Sequence, residues 1–167
     1  MRQTDLKKIL AYSSLNHVAY CMLGIFALGA GSSVLKEAPE LALQGAPLQM
    51  FAHGLAAAGL FYAVGILEER RGTRELDDFG GLGKVMTRFA GFFFILAFCS
   101  IGLPFLAGFA AEFLIFGGSF AHAPVITSIA VLGLLATAVF LLTVLQRVFT
   151  GPVGDGMEEF PDLSRHE

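Results

Sequence analysis

Residues 102–120 read GLPFLAGFAAEFLIFGGSF and lie within the longest apolar part of the chain. From Phe89 to Gln146 the sequence runs for 58 residues, and Glu112 is the one residue there with a formal charge. An ionised side chain at the centre of a membrane helix costs about 3 kcal/mol on insertion scales. This stretch therefore predicts a membrane-spanning helix in which the carboxyl group has a specific role.

The composition points to the same environment. Of 167 residues, 55% are hydrophobic and 15% are charged, whereas soluble domains average about 25% charged residues. A bilayer crossing takes about 20 apolar residues, and four runs are long enough: Ile9–Gly31, Ala46–Leu67, Phe89–Phe120 and Pro124–Phe149. The sequence predicts an all-α integral membrane protein of about four transmembrane helices, with the lipid bilayer as a partner and no nucleic acid.

The third run is too long for one straight helix. Its 32 residues would span about 48 Å, against a hydrocarbon thickness of about 30 Å. Pro104 lacks a backbone donor and clashes with the preceding turn, so we expect a helix break near Gly102–Gly108. Broken helices at membrane depth require protein or a water-filled cavity beside them, and they form ion sites in transporters. Glu112 follows directly after this break.

Other polar residues occupy the first two runs. In the first, polar residues recur at helical spacing on one face: Ser13, Asn16, His17 and Tyr20. The second contains His53. Such residues can hold helices together at about 0.6–2 kcal/mol each, but an imidazole can also pass on a proton near neutral pH. A protonated Glu112 could likewise be structural, although Gln would serve that purpose without titrating, which favours proton handling.

The basic residues predict the topology. Three locations carry ten of the eleven Lys and Arg residues: the segment before the first run, the loop between the second and third, and the end after the fourth. With four crossings, all three lie on one side of the membrane. The loop at 32–45, on the other side, contains Lys36 as its one basic residue. By the positive-inside rule, both termini are expected to be cytoplasmic.

Two other site types find little support. The sequence GGLGK at 80–84 resembles part of a phosphate loop, but the full pattern needs glycine at Asp78 and Ser or Thr at Val85. We therefore interpret the loop as a solvated connector. Cys21 and Cys99 lie in apolar runs without metal-ligand spacing, so no metal site is predicted.

Three blocks, QTDLKKILAYSSLNHVAY, QMFAHGLAAAGLF and IGLPFLAGFAAEFLIFGGSF, together resemble the antiporter-like subunits of respiratory NADH–quinone oxidoreductase, most of all subunit M or chain 4. The resemblance runs from about Gln3 to Gly151. It implies a proton relay of four residues that match the family's motifs: Lys7, His17, His53 and Glu112. The family's GEF is AEF here. Related subunits tend to have lysine where Glu112 stands, which favours subunit M.

The resemblance also implies the setting of the chain. It would be a membrane subunit of the complex in a bacterial inner membrane, beside other membrane subunits, including neighbouring antiporter-like ones. No cofactor is expected in this chain, because NADH, flavin, iron–sulfur clusters and quinone would bind partner subunits. It would count as an enzyme only as part of that translocase.

Length separates this chain from the family. Members have about fourteen helices in two inverted repeats, whereas four runs here correspond to most of the second repeat. We expect residues 1–151 to form a partial antiporter-like domain and residues 152–167 a truncated cytoplasmic tail. Two alternatives remain: a subunit of a multisubunit cation/proton antiporter or membrane-bound hydrogenase, and a membrane scaffold without transport.

Overall fold

The computed structural model describes residues 3–30 and 37–164, and this part of the chain is α-helical, with a single backbone bridge between Asp5 and Glu75. Its elements, in chain order, are α1 (Leu6–Ala30), α2 (Glu37–Arg71), a 3-10 helix (Leu76–Asp78), α3 (Leu82–Val85), α4 (Thr87–Ile101), α5 (Ala107–Phe120) and α6 (Pro124–Phe149). Three of the described helices, α1, α2 and α6, are long and apolar enough to cross a membrane. The all-α membrane fold is confirmed.

The predicted break in the third run is confirmed. α4 has 15 residues and α5 has 14, so neither alone reaches the length of a full crossing. Along α2, Leu96 of α4 lies beside Gly59, and Ile115 of α5 lies beside Gly45. The two half-helices therefore run in the same direction and together make one crossing antiparallel to α2.

Gly102 ends α4 in the left-handed conformation, with φ +78°. The Gly102 N–H donates to Cys99 O at 3.4 Å and the Leu103 N–H donates to Phe98 O at 3.1 Å, which is the Schellman arrangement that closes a helix. Pro104 follows in a turn closed by the Leu106 N–H on Leu103 O at 3.2 Å. The glycine ends α4, and the proline prevents the helix from resuming at once.

α2 begins well before the apolar run from which it was predicted. The run starts at Ala46, but the helix starts at Glu37, within the segment expected to be an outer loop. Ala42 is fully buried, and its carbonyl lies under Gly24 of α1, where an added Cβ would be 2.8 Å away. Gly118 of α5 packs on the backbone of the same segment. Close contact with α1 and α5 thus stabilises N-terminal turns that hydropathy alone does not reveal. Lys36, expected in this loop, lies outside the described residues.

The three basic locations meet at one end of the bundle, which we call the basic end. The Leu6 N–H donates to Arg74 O at 3.0 Å, joining the N-terminus to the α2–α4 connection. That connection in turn holds the tail, because the Gly81 N–H donates to Thr150 O at 3.0 Å. Arg2 and Arg165, also counted for this side, lie outside the described residues.

The α2–α4 connection is not the solvated connector that its charges suggested. Leu82 and Met86 are fully buried and Leu76 is 2% exposed, all within the main apolar core. Gly81 adopts φ +64° and packs directly on the backbone of Pro152. The glycines at 80–83 therefore permit close backbone packing with the tail, and the Gly81 N–H that a phosphate would need is already bonded.

Candidate proton-transfer site

Three helices bring polar side chains together in the middle of the bundle. α1 supplies His17, α2 supplies Gln49 and His53, and α5 supplies Glu112. His17 and Gln49 are each 1% exposed, and Glu112 is 2% exposed. Buried polar groups in apolar surroundings need partners, so the contacts within this cluster decide what it can do.

His17 lies at the centre of the cluster. Its Nδ1 is 3.0 Å from Gln49 Nε2 and 3.5 Å from Glu112 Oε1. Its ring stacks on His53 with the centroids 4.6 Å apart and meets Tyr20 edge-on at 5.6 Å. One imidazole nitrogen thus faces both an amide and a carboxyl group, while aromatic contacts on two sides fix the plane of the ring.

The helix break positions Glu112. Side chains on an α-helix tilt toward its N-terminus, so Glu112 in the second turn of α5 points back toward the end of α4. Its Oε2 lies where a Cβ on Gly102 would be. Only a glycine leaves room for this carboxyl group, and the residue that ends α4 therefore also forms a wall of the site.

Glu112 borders a groove on the outer surface of the bundle but remains buried, with 2% of its surface exposed. A groove of about 400 Å³ between α5 and α6 is lined mainly by apolar side chains, with Glu112 and Thr127 among them. On the opposite side of the cluster, a cavity of about 10 Å³ is bordered by His53, Ser13, Ser14 and Ser100. That volume is about the minimum for one water molecule. The cluster thus has space on two sides.

The structure brings three of the four predicted relay residues together, His17, His53 and Glu112. Lys7 lies apart, ten residues before His17 on α1 and so about 15 Å along the helix axis. Its Nζ is 2.6 Å from Glu68 Oε2. Arg74 joins the same group, 3.7 Å from Glu68 and 3.4 Å from Asp5. Lys7 belongs to an ion-pair network at the basic end.

The polar residues of α1 contact different neighbouring helices. Asn16 donates to Gly133 O and to Thr137 Oγ1, both at 3.0 Å, and so ties α1 to α6. His17, the next residue, faces α2 and α5. The helix-linking interpretation therefore fits Asn16, whereas His17 contacts titratable groups.

Gln49 is the site residue that the sequence analysis missed. It lies one helical turn before His53, at i−4, so both share a face of α2. The available signal was an amide within an apolar run, four residues from a histidine. Its partner on α1 is 32 residues away, a separation that helical periodicity cannot bridge.

Comparison with known proteins places the fold and the site in context. Residues 1–139 match the protein family described as "NADH:quinone oxidoreductase/Mrp antiporter, TM". The chain is similar to NADH-quinone oxidoreductase subunit M of Escherichia coli K12, with 38% identity over 99% of this chain and 31% of the relative. The subunit M of Pseudomonas aeruginosa is 42% identical over 90% of this chain and 28% of the relative.

A solved structure agrees with these sequence matches. A chain of respiratory complex I from Thermus thermophilus with bound NADH superposes with a TM-score of 0.85 at 31% identity, covering 98% of this chain and 32% of that chain. This chain therefore spans about a third of the length of the relatives that it matches.

Proposed function

The chain belongs to the NADH:quinone oxidoreductase/Mrp antiporter family of transmembrane proteins, and we propose that it is the proton-translocating part of a membrane subunit of an NADH–quinone oxidoreductase. Its partners would be the other membrane subunits, including neighbouring antiporter-like ones. NADH, flavin, iron–sulfur clusters and quinone would bind those partner subunits. This chain would move protons and carry out no redox chemistry.

The observation that carries this proposal is the 3.5 Å approach of His17 Nδ1 to Glu112 Oε1 inside an apolar bundle. A proton on Nδ1 of an imidazolium ion can move to Oε1 of the carboxylate. The products are a neutral imidazole and a neutral carboxylic acid, which cost far less to keep in apolar surroundings than two separate ions. Movement of one proton thus converts an ion pair into a neutral pair.

Lys7 and His53 extend the proposed relay toward the basic end. His53 stacks on His17 and borders the cavity lined by Ser13, Ser14 and Ser100. A water molecule there could pass a proton between the hydroxyl groups and the imidazole. In this scheme Lys7, paired with Glu68, is the entry group, and Glu112 is the terminal acceptor beside the α5–α6 groove.

The distribution of charge supports an orientation. The basic end would face the cytoplasm of a bacterial cell, with the bundle in the inner membrane. Both Asp5 and Leu163, near the two ends of the described chain, lie at this end. A proton entering at Lys7 would then leave on the opposite side.

The substitution Glu112→Gln tests the proposal. The substitution keeps the size of the side chain but replaces the titratable carboxyl group with an amide. The number of protons pumped per NADH oxidised should therefore fall sharply while the complex still assembles. Glu40→Gln is the matched control, because Glu40 is an exposed acidic residue on α2. Normal pumping by an assembled Glu112→Gln complex would make this carboxyl group structural.

The family description also covers Mrp antiporters, which supports a second candidate: a subunit of a multisubunit cation/proton antiporter, or of a related membrane-bound hydrogenase. Sodium-dependent proton exchange in vesicles without NADH would favour the antiporter. A membrane scaffold without transport would be indicated if a complex lacking this chain assembled and pumped normally.

A further inference from the structure

We propose that Gln49 is a positioning residue that controls which nitrogen of His17 carries the proton and stabilises the state in which the proton has moved to Glu112. This inference rests on the proposed function, since it concerns the same proton transfer. It adds a residue that lies outside the predicted relay and whose side chain does not itself titrate.

The geometry places two groups in competition for one nitrogen. Gln49 Nε2 lies 3.0 Å from His17 Nδ1, and Glu112 Oε1 lies 3.5 Å from the same atom. An amide N–H can donate only to an unprotonated Nδ1, whereas the carboxylate attracts a protonated Nδ1. The shorter distance belongs to the amide, and this geometry suits an unprotonated Nδ1 that accepts the Gln49 N–H.

This arrangement has a direct consequence for the transfer step. When the Nδ1 proton passes to Glu112 Oε1, the lone pair left on Nδ1 can accept the Gln49 N–H. The hydrogen bond stabilises the product and opposes return of the proton. Before His17 can be protonated on Nδ1 again, the Gln49 amide must turn so that the Gln49 Oε1 accepts the Nδ1–H of His17. Otherwise the hydrogen bond to Gln49 must break so that Nδ1–H can donate to Glu112. The amide can serve both states because it carries a donor and an acceptor on one carbon.

The surroundings of His17 limit which other groups could have this role. Its titratable neighbours are Tyr20 of α1, His53 of α2 and Glu112 of α5. Tyr20 and His53 contact the ring through their aromatic faces and edges. From α6, Thr137 forms a hydrogen bond with Asn16. From α4, Ser100 lies beside His53. Neither hydroxyl group titrates in the physiological range. Among the described side chains, Gln49 is the one that hydrogen-bonds to the His17 ring.

Two substitutions at Gln49 separate positioning from packing. Gln49→Met keeps a similar volume without a hydrogen-bonding group, and Gln49→Glu keeps both a donor and an acceptor while it is protonated. Gln44→Met is the matched control, because Gln44 is exposed on the same helix. Each variant would be assayed in the assembled complex in membrane vesicles, by recording protons pumped per NADH oxidised as a function of pH.

The expected result is a difference in pH profile. Gln49→Met should pump about three- to tenfold less at every pH, the range expected for one lost buried hydrogen bond. Gln49→Glu should pump well at acidic pH and lose pumping as the new carboxyl ionises at higher pH. Gln44→Met should match the wild type. Wild-type pumping by Gln49→Met, or the same pH profile in both Gln49 variants, would overturn the inference.

Failure of this inference can be distinguished from failure of the proposed function. If Glu112→Gln abolishes pumping while Gln49→Met pumps normally, the relay stands and Gln49 only packs. If Glu112→Gln pumps normally, the relay itself is wrong and the role of Gln49 falls with it. If Gln49→Met does not assemble, the acidic limb of the Gln49→Glu profile decides: the protonated carboxyl group restores a donor and an acceptor, so pumping near the wild-type level is expected there, and loss of pumping at acidic pH would overturn the inference.

Discussion

Gly102 combines two requirements at a single residue. Its φ of +78° lies in the left-handed region, which costs an L-residue with a Cβ about 1–2 kcal/mol. Its missing side chain also leaves the space that Glu112 Oε2 occupies. The backbone conformation ends α4, and the absent Cβ admits the carboxyl group. The helix break and the titratable site therefore depend on the same residue.

Gly72 provides a matched comparison for Gly102. It also has φ +78°, but a Cβ added there meets nothing within 4 Å. We expect Gly102→Ala and Gly72→Ala each to lose about 1 kcal/mol of stability from backbone strain, with a further loss in Gly102→Ala from the clash with Glu112, measured by thermal unfolding of the purified complex. Gly102→Ala should in addition displace Glu112 from His17 and reduce pumping, whereas Gly72→Ala should pump normally. Unchanged pumping in an assembled Gly102→Ala complex would show that proton transfer at Glu112 does not depend on the space left by Gly102.

At the scale of the helices, the sequence predicted what depends on local chemistry. Pro104 and the excess length of the third run predicted the break, and one carboxyl group in an apolar run predicted the location of the site. The early start of α2 at Glu37 could not be read from hydropathy. It depends on close contacts with other helices, such as Ile115 N of α5, which would be 2.9 Å from a Cβ at Gly45.

The contacts of each polar residue were likewise beyond the sequence. His17, His53 and Glu112 could be identified because each is polar within an apolar run. Whether they meet depends on how three helices rotate against one another. Periodicity predicts which residues share a face of one helix, but not which helix that face contacts. The same limit explains why Gln49 was overlooked. Lys7 was named from the family resemblance, and its ion pair with Glu68 could not be predicted from the sequence.

At the scale of the whole molecule, the tail closes the basic end of the bundle. Asp162 accepts hydrogen bonds from the Arg88 and Phe89 N–H groups at 2.9 and 3.0 Å, and so caps the N-terminus of α4. Burial by itself raises the pKa of Asp162, but the hydrogen bonds from the Arg88, Phe89 and Leu163 N–H groups, together with the Arg88 charge, lower it below its ordinary value. Residues near 162 are therefore an integral part of the fold.

Removal of this cap should loosen the first turn of α4. Asp162→Ala is expected to cost about 1 kcal/mol and to speed amide exchange at Arg88 and Phe89 about fivefold, measured by hydrogen–deuterium exchange. Because the folded-state pKa is lowered, the contribution is present above the unfolded pKa of about 4 and is lost as pH falls through the folded value. Wild-type protection should weaken over that acidic range.

Asp155→Ala is the control for the tail. Arg71 bonds the Asp155 backbone carbonyl at 3.0 Å, so the loss of this side chain should leave exchange at Arg88 and Phe89 unchanged. Equal exchange rates in the wild type and the Asp162→Ala variant would show that the tail does not cap α4.

The most direct measurement of the central claim is infrared difference spectroscopy of the assembled complex during turnover, comparing wild type with Glu112→Gln and Glu40→Gln. If Glu112 accepts the proton from His17, a carboxylic acid band changes intensity during turnover in the wild type and in Glu40→Gln, and is missing in Glu112→Gln. An identical set of carboxyl bands in all three would show that Glu112 keeps one protonation state throughout, and would contradict the account.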